Sequence, residues 1–155
     1  MRVAAFAGTC ISEAGVDSLA SARGEKGLVV MFICNHCPYV KRSIERIVRD
    51  CAELKSRGFG SIAVMPNDPL YNAEDSFDNM KRVAKDKGFP FPYVIDESQD
   101  VARAYDAVCT PDFYAFDANL ELRYHGRLED LVQAATGTPP AKPMNSIGCS
   151  IKWKK

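Results

Sequence analysis

The sequence predicts an α/β protein in which helices cover a mixed central β-sheet. Three observations carry this reading. Residues 28–33, Leu-Val-Val-Met-Phe-Ile, form a continuous apolar run of strand length, as in a strand buried on both faces of a parallel sheet. Helical and strand patterns then alternate along the chain. Near the end, two short apolar runs flank Asp117-Ala118-Asn119, which reads as a hairpin.

Taken in order, the first strand ends at Cys34-Asn35-His36-Cys37, and Pro38 suits a first helical turn, where its missing N–H is not needed. Val40, Ile44, Ile47, Val48, Cys51 and Leu54 recur at helical spacing. Lys41, Arg42, Glu45, Arg46, Arg49 and Glu53 cover the opposite face. Gly58 suits the position just past the helix. Residues 61–65 are the next buried strand, closed by Pro66-Asn67-Asp68-Pro69.

A second helix is expected over 73–87, with Phe77, Met80 and Ala84 inward and Gly88 stopping it. Residues 93–95 form a short strand, and Val101, Ala102 and Tyr105 mark a short helix. Strands at 113–116 and 120–124 and a helix at 128–135 complete the order β-α-β-α-β-α-β-β-α. Residues 137–143 are Pro-rich and irregular.

A chain of 155 residues fits one domain, read as 1–155 with an irregular tail from about 137. It buries roughly two-thirds of its unfolded surface and needs no disulfide staples. Lys+Arg and Asp+Glu are balanced at 20 each. Without a basic excess or a polybasic run, neither nucleic acid nor an anionic membrane is an expected partner. Residues 1–11 hold Arg2 and small apolar residues, but the run is short for a signal peptide and no A-x-A site follows. Thr9 is bulky for the position before a lipidated cysteine at Cys10, so the cytoplasm is the expected location.

Six cysteines are present: Cys10, Cys34, Cys37, Cys51, Cys109 and Cys149. In a cytosolic chain of this length a C-x-x-C reads as redox or metal chemistry. Cys34 and Cys37 lie where a buried strand meets a long helix. The unpaired N–H groups and partial positive charge of a helix N-terminus stabilise a thiolate, and thiols there fall to about 3.5–7.5. Cys34 is therefore expected to be exposed, ionised and the attacking sulfur. Cys37, about one turn on, would resolve the mixed disulfide. A protonated His36 beside Cys34 would stabilise the thiolate further and make the pair more oxidising than thioredoxin.

Other residues are read more plainly. Cys51 falls on the apolar helical stripe and belongs to the core. Cys109 borders the expected site, Cys149 lies in the tail, and either is a possible accessory thiol. Trp153 reads as a packing anchor and His125 as a surface or structural residue. Cys34, His36 and Cys37 are potential metal ligands, but structural zinc takes four ligands from two spaced pairs; only one pair exists, so no metal and no cofactor are expected.

The run Phe32-Ile33-Cys34-Asn35-His36-Cys37-Pro38-Tyr39-Val40-Lys41 resembles the peroxiredoxin-like, redoxin-domain branch of the thioredoxin superfamily. The resemblance continues through Asn67-Asp68-Pro69, Asp75-Ser76-Phe77, the stretch from Gly88 to Tyr93, Cys109-Thr110-Pro111-Asp112 and the stretch from Ile147 to Trp153. It covers roughly residues 28–155 and implies a thioredoxin-like fold. It also implies that Pro111 is a cis-proline facing the C-x-x-C, with the Thr110 backbone offered to a substrate as a strand-pairing edge.

Peroxiredoxins carry P-x-x-x-T-x-x-C around the reactive cysteine. Counted back from Cys37, those Thr and Pro positions hold Cys34 and Val30; from Cys34, they hold Met31 and Gly27. A peroxidase is thus the alternative reading, and a metal-binding or non-catalytic module of the same fold is another. The favoured reading is a thiol–disulfide oxidoreductase whose partners are protein or small-molecule disulfides or thiols and a recycling partner. The segment before Leu28 does not look like the entry hairpin of redoxin domains, and the stretch between Arg127 and Pro143 is shorter than the resemblance implies.

Overall fold

A computed structural model describes residues 9–12, 15–137 and 147–155. Seven strands form one sheet in the order β2-β1-β5-β4-β3-β7-β8. They are β1 (Thr9–Ser12), β2 (Gly15–Ser18), β3 (Gly27–Phe32), β4 (Phe59–Met65), β5 (Tyr93–Ile95), β7 (Asp112–Asp117) and β8 (Leu122–Gly126). Two further strands, β6 (Cys109–Thr110) and β9 (Cys149–Ser150), pair antiparallel outside it. The helices are α1 (Pro38–Ser56), α2 (Phe77–Asp86), α3 (Asp100–Ala104) and α4 (Leu131–Thr136). β3, β4 and β5 run parallel; β7, β8 and β1 join antiparallel. The mixed sheet flanked by helices is the predicted architecture. Among the described residues no helix is long and apolar enough to cross a membrane.

The apolar run of β3 is buried along its whole length, and its alternating side chains feed two cores. Val29, Met31 and Ile33 pack with Val40, Ile44, Ile47, Cys51 and Leu54 of α1, and with Met80 and Leu131. Leu28, Val30 and Phe32 pack on the other face with Val101, Ala102 and Tyr105 of the α3 segment. This double burial fixes the level at which β3 ends, and so where Cys34 emerges. Gly58 takes φ +92° just past α1, a conformation that suits glycine.

Several expectations need correction. A hairpin does precede Leu28: β1 and β2 pair from Thr9↔Ser18 to Ser12↔Gly15, and β1 joins the sheet through Ile11↔Ile95. The expected helix over 73–87 is split. Asn72 caps a 3₁₀ turn (Ala73–Asp75) by accepting from Glu74 N–H at 2.9 Å, and Ser76 caps α2 by accepting from Asn79 N–H at 3.2 Å. Two caps in succession stop one helix and start another. The second hairpin strand begins later than expected, at Leu122, because Asp117 Oδ1 accepts from Asn119 and Glu121 N–H and widens the turn. The expected helix at 128–135 opens as a 3₁₀ turn (Leu128–Asp130) before α4. Trp153, expected as a packing anchor for the tail, is 40% exposed and packs under the Arg103 guanidinium at 5.1 Å. Most of the Pro-rich stretch at 137–143 lies outside the described residues.

Candidate active site

Cys34 and Cys37 sit between the end of β3 and the start of α1. Cys37 occupies the N-cap position, and Pro38 takes the first helical turn as predicted. The connecting residues are held by a carboxylate from the 3₁₀ turn that interrupts the expected helix. Asp75 Oδ1 accepts from Asn35 N–H at 2.8 Å and from His36 N–H at 3.2 Å. Its Oδ2 pairs with His36 Nδ1 at 2.5 Å and accepts from Asn67 Nδ2 at 3.1 Å. Asp75 is fully buried. Asn35 is fixed in turn: its amide donates to Glu74 O, and the Tyr93 hydroxyl donates to its Oδ1 at 2.9 Å. Burial, with Cys34 and Asp75 nearby, pushes the Tyr93 hydroxyl well above its ordinary range.

Thr110 meets both sulfurs. The bond between Thr110 and Pro111 is cis, as the resemblance implied. The Thr110 hydroxyl lies 3.3 Å from Cys34 Sγ, and its carbonyl accepts from the Cys37 thiol at 3.3 Å. The expectation that Cys34 is exposed fails. It is 1% exposed and Cys37 is 0% exposed. Cys34 forms part of the wall of a cleft of about 390 Å³ with Ile33, Val40, Lys41 and Phe89.

The expected depression of Cys34 also needs correction, because Cys37 is the sulfur held down and Cys34 the one held up. The hydrogen bond from Cys34 lowers Cys37 to about 4, against burial and with help from the Val40 N–H of α1 and from Cys149. The same bond raises Cys34, as do burial and the Asp75 charge, while the Thr110 hydroxyl lowers it. Thr110 also offers the opposite arrangement, its carbonyl taking the Cys37 proton and its hydroxyl supporting a Cys34 anion. The pair is therefore coupled, with Cys37 held down and Cys34 held up.

Alkylation of the reduced pair by iodoacetamide should therefore be nearly constant from pH 6 to 8. A rate rising about tenfold per pH unit across that range, as for an ordinary thiol near 8.5, would contradict a Cys37 sulfur held down.

His36 differs from expectation as well. Its partner is Asp75, so a positive imidazole beside Cys34 is offset by a buried carboxylate. One ligand atom each from Cys34, His36 and Asp75 lie within 4.8 Å of one another. That is three donors, one short of a structural zinc set, and the carboxylate is already engaged by four donors.

Of the other cysteines, Cys51 is a core residue, its thiol donating to Met31 Sδ at 3.5 Å. Cys10 lies in β1. Burial, then the charge of Asp112, pushes the Cys109 thiol up to about 11. Cys149 lies near Cys37, and its thiol and N–H help to hold that sulfur down. His125 is structural: it stacks on Tyr114 with ring centroids 4.1 Å apart and binds buried Asp112 at 2.9 Å. Asp75, Asn67 and Tyr93 were given no role from the sequence. The one usable signal is the Asn72 and Ser76 caps, which leave Asp75 at the end of a 3₁₀ turn just before α2.

The AhpC/TSA family model matches residues 4–125. None of the curated proteins matches significantly. Among solved structures, an uncharacterized conserved protein from Geobacillus kaustophilus is 42% identical, with 96% of this chain and 88% of that one covered and a TM-score of 0.86. A hypothetical protein from Sinorhizobium meliloti 1021 is 30% identical, covering 94% and 90%, with a TM-score of 0.87. A secreted Mycobacterium tuberculosis disulfide oxidoreductase homologous to E. coli DsbE is 13% identical, covering 82% and 92%, with a TM-score of 0.64; that likeness shows a shared fold.

Proposed function

Because the chain belongs to the AhpC/TSA family, a redoxin branch of the thioredoxin superfamily, we propose that its thiol-based redox chemistry is thiol–disulfide exchange through Cys34 and Cys37. The single observation that carries this is Thr110 touching both sulfurs at 3.3 Å from opposite polar groups. A substrate disulfide enters the cleft at Cys34. The Cys34 thiolate attacks one substrate sulfur, a mixed disulfide forms, and the other sulfur leaves as a thiol. Cys37 then gives its proton away, attacks Cys34 and releases the second thiol. The substrate is reduced by two electrons and the pair is oxidised to its disulfide. Partners of this chemistry are protein or small-molecule disulfides and thiols, and a cytoplasmic setting is part of the proposal.

The pair is more oxidising than thioredoxin in this reading. The support has moved from His36 to Cys37: a sulfur lowered to about 4 stabilises the reduced form against the disulfide. Equilibration in glutathione buffers, followed by mass measurement of the two-thiol loss, should give a potential above thioredoxin's value of about −270 mV. No Cys34–Cys37 disulfide at any ratio would sink the activity; a potential at or below that value would sink only its oxidising character.

A further inference from the structure

The edge expected to receive a substrate strand is already paired. β9 lies antiparallel on β6, with Thr110↔Cys149 and Cys109↔Ser150 in register. Directly opposed residues of a strand pair face the same side. Thr110 reaches Cys34, so Cys149 faces the same sulfurs, while Cys109 and Ser150 face away. Cys149 thus stands where a client residue would stand, opposite the Thr110 whose carbonyl accepts from the Cys37 thiol, and it helps to hold that sulfur down.

The strand is held there from both sides. Gly148 passes so close that a Cβ would stand 1.9 Å from Thr110 O. Beyond it, Ile151 N–H donates to Val108 O, Lys152 N–H donates to Asn67 Oδ1, and Lys154 N–H donates to Gln99 Oε1. Asn67 is the same residue that donates to Asp75, so the tail and the C-x-x-C loop rest on one support. Cys149 is also the most accessible of the three thiols: it is half-buried, whereas Cys34 and Cys37 are buried.

We propose that Cys149 is a third redox cysteine that takes over the disulfide by attacking Cys37 of the oxidised Cys34–Cys37 pair. This rests on the thiol–disulfide exchange assigned above. The Cys149 sulfur bonds to Cys37 and the Cys34–Cys37 bond breaks. Cys34 leaves with the electron pair and takes up the proton that Cys149 gives to solvent. No oxidant or reductant is consumed, because one disulfide replaces another. Cys37 is the sulfur attacked because Cys149 stands in register opposite Thr110, whose carbonyl holds the Cys37 thiol. The result is a disulfide at the more accessible sulfur, open to a recycling thiol, and a free Cys34 in the cleft.

The test oxidises the reduced chain in graded glutathione buffers, quenches with acid and maps disulfide-linked peptides. Wild type should give both Cys34–Cys37 and Cys37–Cys149. In Cys34→Ser, Cys37–Cys149 should become the main product. Gly148→Ala keeps every thiol but pushes β9 off Thr110; it should lower the Cys37–Cys149 yield at least tenfold while Cys34–Cys37 persists. Wild type giving Cys34–Cys37 alone, with Cys37 and Cys149 still free in Cys34→Ser, would overturn the third-cysteine role and leave the exchange activity standing. Wild type giving neither disulfide would overturn both.

Discussion

Cys34→Ser is expected to abolish reduction of a disulfide such as oxidised glutathione, a loss on the order of a thousandfold or more, as for removal of other covalent nucleophiles. Cys37→Ser should behave differently. Cys34 lines the cleft, whereas Cys37 lies behind it at the N-cap of α1 and is completely buried. Attack through Cys34 should survive in Cys37→Ser, and the mixed disulfide should accumulate because its resolving sulfur is gone. Cys149 should not rescue it, since Cys149 lies near Cys37. Pulled from cell extract, Cys37→Ser should therefore carry covalent partners released by reductant, and Cys34→Ser should carry none. Equal trapping by both variants, or trapping that depends on Cys109 or Cys149, would show that the roles are wrongly assigned.

The parts of this site that were legible in the sequence are those set by local pattern. The apolar run of β3, the helical stripe of α1 and Pro38 placed Cys34 and Cys37 at a strand–helix junction. Burial on both faces leaves such a run no other place in an α/β sheet. What escaped is built from contacts between distant segments. Asp75 reaches His36 across 39 residues, and nothing in a local window marks a carboxylate as the support of another loop. β9 is two residues long and has no period to read. The β1–β2 hairpin escaped because Thr9–Ser12 and Gly15–Ser18 carry small and polar residues, so their strand signal is weak.

Substituting Asp75 should have the largest effect on stability. Asp75→Ala removes an acceptor that serves two backbone N–H groups, the His36 ring and the Asn67 amide. These groups are buried or half-buried, and their donors would be left unmatched. Leaving buried donors unmatched costs about 1–3 kcal/mol each, and a combined loss of about 3–5 kcal/mol lowers Tm by roughly 6–20 °C for a chain of this length. Asp75→Asn separates charge from shape. The amide oxygen can still accept from Asn35 and His36 N–H, so the fall in Tm should be less than half as large. The negative charge that raises Cys34 is gone, however. Cys37 is held down toward its thiolate in the reduced pair, and removing a like charge beside such an anion stabilises that form. The potential of the Cys34–Cys37 couple should therefore rise, by about 30 mV for each tenfold gain in stability of the reduced form. Thermal unfolding and glutathione equilibration, run on both variants, test the two effects separately. An unchanged Tm in Asp75→Ala would mean that the carboxylate does not support the loop. An unchanged or lower potential in Asp75→Asn would mean that its charge is not felt at the sulfurs.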